Sequence, residues 1–524
     1  AAGALAAHPT QLRTFAGEGV VRIEVAIPSD APGVRDALHA QGVPTYEADV
    51  RFATRYLIDR GIKGSCRIVG EPRPGKGVSW VFDDPQLTPA DADIEPRVLS
   101  FDIETDSRAE RLLAISAYGQ ALDRVLVVDP EGRDMPPLAE GFASERAVLE
   151  AFCELVAQFD PDVLTGWNVV DFDLSVLARI ADRVRIPLQL GRDTGEMRIR
   201  PAQGYFGSGH ASIPGRLVLD GMDLLRGAFI RMDEYSLDAV ARNVLGEGKT
   251  LSGGDRADAI MQRYLHDLPA FAEYARTDAR LALEIVEQLD VVRLAFARSK
   301  LTGMTPDRVA ASIASFDFLY LSELAGRGLV APSVRSDDAR VHAAQAGGAV
   351  FEPMAGIHER VMVFDFKSLY PSIIRTFNVD PVEFVAEPSA DDALLRLATG
   401  AAFTRVPGIL PGMLDDLFPQ REAAKAAGDA VASQAIKILM NSFYGVLGTP
   451  ACRFYNPEIA NAITGQGRYL LQWSKDWFAA RNYQVLYGDT DSLFVRAQAE
   501  SEADALTEAQ RLLAEINAAL QQHV

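Results

Sequence analysis

The stretch QVLYGDTDSLFV, residues 484–495, sets Asp489 and Asp491 two residues apart at the crest of an apolar, strand-forming run. A hairpin turn accounts for part of it, since Gly488 tolerates positive φ and short aspartate side chains bond the local backbone. A calcium loop needs an oxygen ligand at its fifth place and glycine at its sixth. Leu493 and Phe494 stand there, although Glu500 falls at the twelfth place. The remaining reading is a carboxylate pair held on a rigid hairpin to bind divalent metal, which needs further acidic ligands from elsewhere in the chain.

A partner stands in RVMVFDFKSLYPSIIRTF, residues 360–377, where the apolar strand Val361 to Phe366 carries Asp365. Ser368 then begins a helix that tolerates Pro371 in its first turn. Free backbone N–H groups at such a helix start suit a triphosphate. A capped helix after a strand explains Ser368 and Pro371 but not a strand-borne aspartate. Further on, PQREAAKAAGDAVASQAIKILMNSFYGVLG, residues 419–448, reads as a helical hairpin with a basic face. Arg421 and Lys425 lie four apart, Gly428 stops the first helix, and Asp429 or Ser433 caps the second. Lys437, Asn441 and Tyr444 follow at i, i+4 and i+7 on one stripe. Solvated surface would explain Arg421 and Lys425 alone; Asn441 and Tyr444 beside them favour a face that meets a nucleotide.

A second acidic set lies upstream. In VLSFDIETDS, residues 98–107, Asp102 and Glu104 project from one face of a strand, about 6.6 Å apart along it. A charged pair within a core strand is expensive unless a cation neutralises it. DPDVLTGWNVVDFDLSVLARI, residues 160–180, brings Asp173 after another apolar run, with Asn168 and Asp171 nearby. EYARTDARLALEIV, residues 273–286, places Tyr274 and Asp278 at i and i+4 on one helical face. Singly these patterns are common surface features. In this order, four acids on three elements and a phenol make a sensible two-metal hydrolase.

The bulk properties fit a multidomain globular protein. Of 524 residues, 48% are hydrophobic and 24% charged, so roughly three or four domains can each bury a core. No run of eighteen apolar residues and no signal segment points to a membrane, and the expected location is the cytoplasm. Cys66, Cys153 and Cys452 form no CxxC pair and read as reduced, buried thiols. The net charge of −20 argues against gripping nucleic acid over the whole surface but leaves room for a local basic track. Carboxylates at metal sites supply part of that charge and solvated surface most of it.

DFKSLYPSII, KILMNSFYG and YGDTDS resemble motifs A, B and C of family B DNA polymerases, and the upstream set resembles the three motifs of DEDDy-type 3′–5′ proofreading exonucleases. Segments such as YEADVRF, GWNVVDFDL, LGEGK and FYGVLGTPACRFYNPEIANAIT look closest to the bacterial polymerase II branch of that family. The resemblance covers nearly the whole chain and is weakest over the first forty residues.

The resemblance implies α/β and α+β multidomain architecture: an N-terminal domain (1–92), a ribonuclease H-like 3′–5′ exonuclease domain (93–308), a linker returning to the N-terminal domain (309–334), and a palm (335–412 and 451–524) with inserted helical fingers (413–450). It implies Mg²⁺, two ions per active site, with Mn²⁺ as an alternative. Asp365 and Asp491 would bind one pair of ions, with Phe366 counted among the metal-binding positions and Asp489 as electrostatic support. Asp102, Glu104, Asp173 and Asp278 would bind the other pair, and Tyr274 would orient the attacking water. Asp171 has the weaker claim, because the family uses the aspartate directly after Phe172. Ser368, Leu369, Tyr370, Arg421, Lys425, Lys437 and Asn441 would hold the deoxynucleoside triphosphate, with Tyr370 beneath the sugar as a steric gate. Primer-template DNA is the implied partner, with a sliding clamp reached through a C-terminal region.

The family continues into a basic KKxY-type element and a thumb, whereas this sequence stops at Val524 and begins without Met, so a fragment that extends primers poorly is expected. Two rival functions remain: an exonuclease alone, and a template-binding relative without chemistry. Asp365, Lys437 and Asp491 speak against the first, and the completeness of both acidic sets against the second.

Overall fold

Apolar residues run through VLSFDIET with little interruption, the pattern of a strand covered on both faces. In the computed structural model this segment is β1 (Val98–Thr105), in the middle of a six-stranded sheet. The structure describes residues 3–76, 78–201, 209–248, 256–334, 347–389 and 393–524. The expected palm boundary at 335 and Lys249 of LGEGK lie outside them. The chain divides into two compact units, one of Ile62–Ala310 and one of Ala1–Gly61 with Ala311–Val524.

In the first unit, β1 pairs antiparallel with β2 (Leu112–Gly119), which pairs antiparallel with β3 (Leu122–Val128). The edge strand β4 (Ala139–Phe142) runs parallel to β3. On the other side β5 (Val163–Gly166) and β6 (Leu217–Asp220) continue the sheet in parallel, giving the order β4-β3-β2-β1-β5-β6. Three antiparallel strands extended by parallel ones is the ribonuclease H-like arrangement expected. Leu99, Phe101 and Ile103 pack with Val148 and Phe152 of α1 (Glu145–Phe159) and Leu177 and Ile180 of α2 (Ser175–Val184). Phe271 and Tyr274 of α3 (Leu268–Gln288) pack with Ala114 and Val125 from the opposite face. Because side chains alternate along a strand, Asp102 and Glu104 fall on the face away from Phe101 and Ile103.

Residues 62–92, grouped by sequence with the N-terminal domain, belong to this unit. Strand Cys66–Val69 pairs with Gln86–Pro89, and Lys300 Nζ bonds Asp91 and Asp93 at 3.1 and 2.7 Å. The thiols also differ from expectation. Cys452 is buried, Cys153 is partly covered and pushed up to about 11 by burial, and Cys66 is exposed on its short two-stranded ribbon, which lacks a covering layer.

The second unit centres on a four-stranded sheet, β7 (Val350–Phe351), β9 (Val485–Asp489), β10 (Ser492–Arg496) and β8 (Val361–Asp365), in that spatial order. One face is packed. Met362, Leu493 and Val495 meet Leu471 and Phe478 of α8 (Pro457–Ala479) and Leu512 and Ile516 of α9 (Glu502–His523). The other face carries Val361, Val363 and Asp365, of which Val363 is 57% exposed. A sheet with one covered and one open face can present polar side chains on the open side at no cost to its core.

Between β8 and α8 lie α5 (Leu369–Thr376), α6 (Ile409–Ala426) and α7 (Ala430–Leu447). The last two form the hairpin read from sequence. Gly428 has φ +72, and Asp429 rather than Ser433 caps α7, its Oδ1 accepting from Ala432 N at 2.9 Å.

Residues from three distant stretches meet at Arg453. Its side chain, 4% exposed, pairs with Asp49 at 3.1 Å and Asp317 of α4 (Ser312–Gly326) at 2.9 Å, and bonds Pro332 O at 3.0 Å. Truncating one partner of a buried ion pair leaves uncompensated charge and costs about 3 to 5 kcal/mol. Arg453→Ala should therefore lower urea resistance by an amount of that order, read by tryptophan fluorescence. An unfolding curve that overlays the wild type would mean the network contributes nothing.

Candidate active sites

In the first unit the sheet and α3 bring Asp102, Glu104 and Asp278 together, with one ligand oxygen of each within 4.8 Å of the others. Glu104, Asp278 and Tyr274 are buried at 6%, 2% and 1% exposure. Tyr274 and Asp278 sit one turn apart on α3, whose start is fixed by Asp267 capping Ala270 N at 3.1 Å. Three buried or half-buried carboxylates converging on one point form a donor set for a hard divalent cation.

Asp173 arrives by a different route. It lies in a π-helical turn, Val170–Leu174, that precedes α2, and its Oδ1 accepts from Ile103 N at 3.0 Å, between Asp102 and Glu104. Burial, then the charge of Asp102, push its carboxyl well above the usual carboxylate range. Clustered acids that resist joint ionisation are what a cation would relieve. Asp171 is exposed, and its Oδ2 accepts from Gly209 N at 3.2 Å.

In the second unit the register pairs Asp365 with Ser492, and Ser492 with Asp489. Ser492 Oγ donates to Asp365 Oδ2 at 2.6 Å. The turn is tight, with Thr490 at φ +52 and Asp491 N bonded to Asp489 O at 2.6 Å. Asp491 O accepts from Phe366 N at 2.9 Å, which ties the hairpin tip to the end of β8. Burial, then the charge of Asp365, raise the Asp491 carboxyl. Asp489 is differently placed, because its carboxylate accepts from Thr490 Oγ1 at 2.8 Å and Tyr487 Oη at 3.4 Å.

Ser368 does not cap α5 as its sequence position suggests. It adopts the left-handed conformation, φ +52, without a capping bond, and its Oγ accepts instead from Arg421 Nη1 at 3.3 Å. Leu369 is buried as the first residue of α5. Lys437 and Asn441 are exposed on one face of α7 and Tyr444 is half-buried beside them. The Tyr370 ring lies 4.7 Å from that of Tyr444, and burial, then Tyr444 and Asp491, push its phenol up to about 12. Gly467 of α8 lies behind it, where a Cβ would stand 3.1 Å from Tyr370 Cε1. Lys425 is engaged by Glu422, whose Oε1 lies 3.1 Å from both Lys425 Nζ and Lys367 Nζ. Sequence reading singled out neither Ser492, Glu422 nor Gly467. Ser492 stands inside the quoted GDTDS stretch, whereas nothing local marks the other two.

Residues 310–524 match the DNA polymerase family B model, and residues 43–121 and 131–240 match the DNA polymerase family B exonuclease domain. The chain is 38% identical over 497 residues to DNA polymerase II of Escherichia coli, a match covering 93% of this chain and 61% of that protein. It is 30% identical over 490 residues to a DNA polymerase of Archaeoglobus fulgidus, covering 89% and 59%. The solved family B DNA polymerase of the archaeon Pyrobaculum calidifontis superposes with a TM-score of 0.75 at 26% identity, over 97% of this chain and 68% of that one. The chain thus spans about three fifths of the length of the curated relatives it matches. The exonuclease match stops at residue 240, and it is geometry that brings Asp278 into the acidic cluster, with Tyr274 one turn away on α3.

Proposed function

Because the chain belongs to DNA polymerase family B through both its polymerase and its exonuclease domain, we propose that it takes part in template-directed DNA synthesis from deoxynucleoside triphosphates with 3′–5′ proofreading. The observation that carries this reading is the presence of two acidic centres on two separate sheets. One is built on β1 and α3, the other on β8 and the β9–β10 hairpin.

Divalent cations, Mg²⁺ by preference with Mn²⁺ as a substitute, would supply charge neutralisation and activation of the attacking oxygen at each centre. At the polymerase centre Asp365 and Asp491 would hold them, Asp365 with its Oδ2 oriented by Ser492. Asp489 accepts bonds from its own neighbours and contributes field rather than ligation. Arg421, poised on Ser368, has the planar fork that grips a triphosphate, and Lys425 and Lys437 add point charges along the same face. Asn441 and Tyr444 continue that face toward the base pair. At the other centre Asp102, Glu104, Asp173 and Asp278 would hold the ions while Tyr274 orients water against the terminal phosphodiester. Primer-template DNA is the proposed partner, a sliding clamp a further one, and the cytoplasmic nucleoid the proposed setting. No helix among the described residues is long and apolar enough to cross a membrane.

The test is a labelled primer-template with Mg²⁺, with and without deoxynucleotides. Extension with them and shortening without them support both activities, and neither change refutes them. Sugar choice gives a sharper check. With Tyr370 beneath the deoxyribose and braced by Tyr444, Tyr370→Ala opens room for a 2′-hydroxyl. Pocket-size discrimination of this kind is worth roughly 10- to 100-fold. Ribonucleotide use relative to deoxyribonucleotide use should rise by a factor in that range, and an unchanged ratio would remove Tyr370 from the role.

A further inference from the structure

The turn that delivers Asp173 is wound one residue wider than an α-helix. Leu174 N donates to Val169 O at 2.9 Å, and Ser175 Oγ to Val170 O at 2.9 Å. Such π turns are rare and sit mostly at functional sites. The chain enters it through Gly166, Trp167 and Asn168. Asn168 is left-handed at φ +60, and a Cβ at Gly166 would lie 2.6 Å from Phe101 O. The loop is therefore wedged against β1, and something must hold its far side.

That group is Asp220, 7% exposed, at the end of β6 and paired in register with Gly166. Its Oδ1 accepts from Asn168 N at 3.3 Å, two residues before the π turn begins. The same Oδ1 caps the short helix Gly221–Gly227 through Met222 N at 3.0 Å and Asp223 N at 3.4 Å. A single buried carboxylate thus fixes the turn at its entrance, while Ile103 N fixes Asp173 at its exit.

Resting on the exonuclease reading above, we propose that Asp220 is a positioning residue for that centre. It clamps the π turn so that the Asp173 carboxylate stands against β1 beside Asp102 and Glu104. It touches neither substrate nor metal in this role and acts through the backbone of Asn168. Outer partners of metal ligands typically govern metal affinity by 10- to 100-fold.

Two neutral variants separate reach from charge. Asp220→Ser keeps a cap for the following helix but is too short to hold the loop. Asp220→Asn is isosteric and keeps one acceptor oxygen. Mn²⁺ binding to the whole chain is followed by the electron paramagnetic resonance of the free ion, with the Asp102→Ala, Glu104→Ala protein marking the contribution of this centre. D220S should weaken that contribution by about 10- to 100-fold. D220N should weaken it roughly threefold to tenfold, as exchanging a charged acceptor for a neutral one does. Primer extension should not change in either.

A D220S protein that binds no more weakly than D220N overturns the proposal, since both lack the charge and only reach differs. Wild-type Mn²⁺ affinity in D220N overturns it also, without need of the serine variant. If the wild type binds Mn²⁺ but shortens no DNA strand, the exonuclease reading fails instead, while the binding series still decides the role of Asp220.

Discussion

Asp365→Ala, or Asp491→Ala, should abolish primer extension, lowering it by at least about 100-fold, while shortening of a 3′ end continues. Both carboxylates stand at the meeting of β8 with the hairpin tip, where Ser492 orients one and the Phe366 N–H bond fixes the backbone of the other. The Asp491 carboxyl is raised first by burial and then by the charge of Asp365, so removing Asp365 takes away one unfavourable contribution in the ion-free protein. Activity should therefore vanish without loss of stability. Asp489→Asn should cost no more than about tenfold, because Asn keeps an acceptor for Thr490 Oγ1. Measuring extension and thermal unfolding of the three variants side by side tests the assignment. An Asp365→Ala protein that still extends would remove it.

Much of this arrangement was legible because strands and helices have fixed periods. Period two placed Asp102 with Glu104 on one face of β1, and the i, i+4 spacing put Tyr274 and Asp278 on one face of α3. The apolar run Val361 to Phe366 likewise made Asp365 a strand residue, and the structure adds that its face is open. What local pattern could not convey is who holds whom. Ser368 looks like a helix cap by residue type, yet Arg421 claims its hydroxyl, a contact between positions 53 apart. Lys425 reads as a free cation on a helical face, but Glu422 draws it toward Lys367 across a second element. Asp173 was chosen over Asp171 by resemblance alone. The physical reason lies in the π turn, which no periodicity announces and which buries Asp173 while leaving Asp171 in solvent. The grouping of residues 62–92 was hidden for a similar reason, since contacts such as those of Lys300 with Asp91 and Asp93 join positions more than 200 apart.

Asp102→Ala combined with Glu104→Ala should abolish degradation of a mismatched 3′ end, by at least about 100-fold, and leave extension from a matched primer largely intact. The reason is separation of ligands. Asp102 and Glu104 on β1 meet Asp278 of α3, in a unit whose sheet and core are its own, and Asp365 and Asp491 belong to the other unit. The fold should tolerate the change, since the apolar side of β1 is carried by Leu99, Phe101 and Ile103, which remain. Removing Asp102 should also lower the Asp173 carboxyl, which is raised first by burial and then by that charge. Mismatched and matched primers, followed in parallel with the wild type, decide the matter: equal loss of degradation and extension in a folded protein would mean that the two acidic sets serve one reaction.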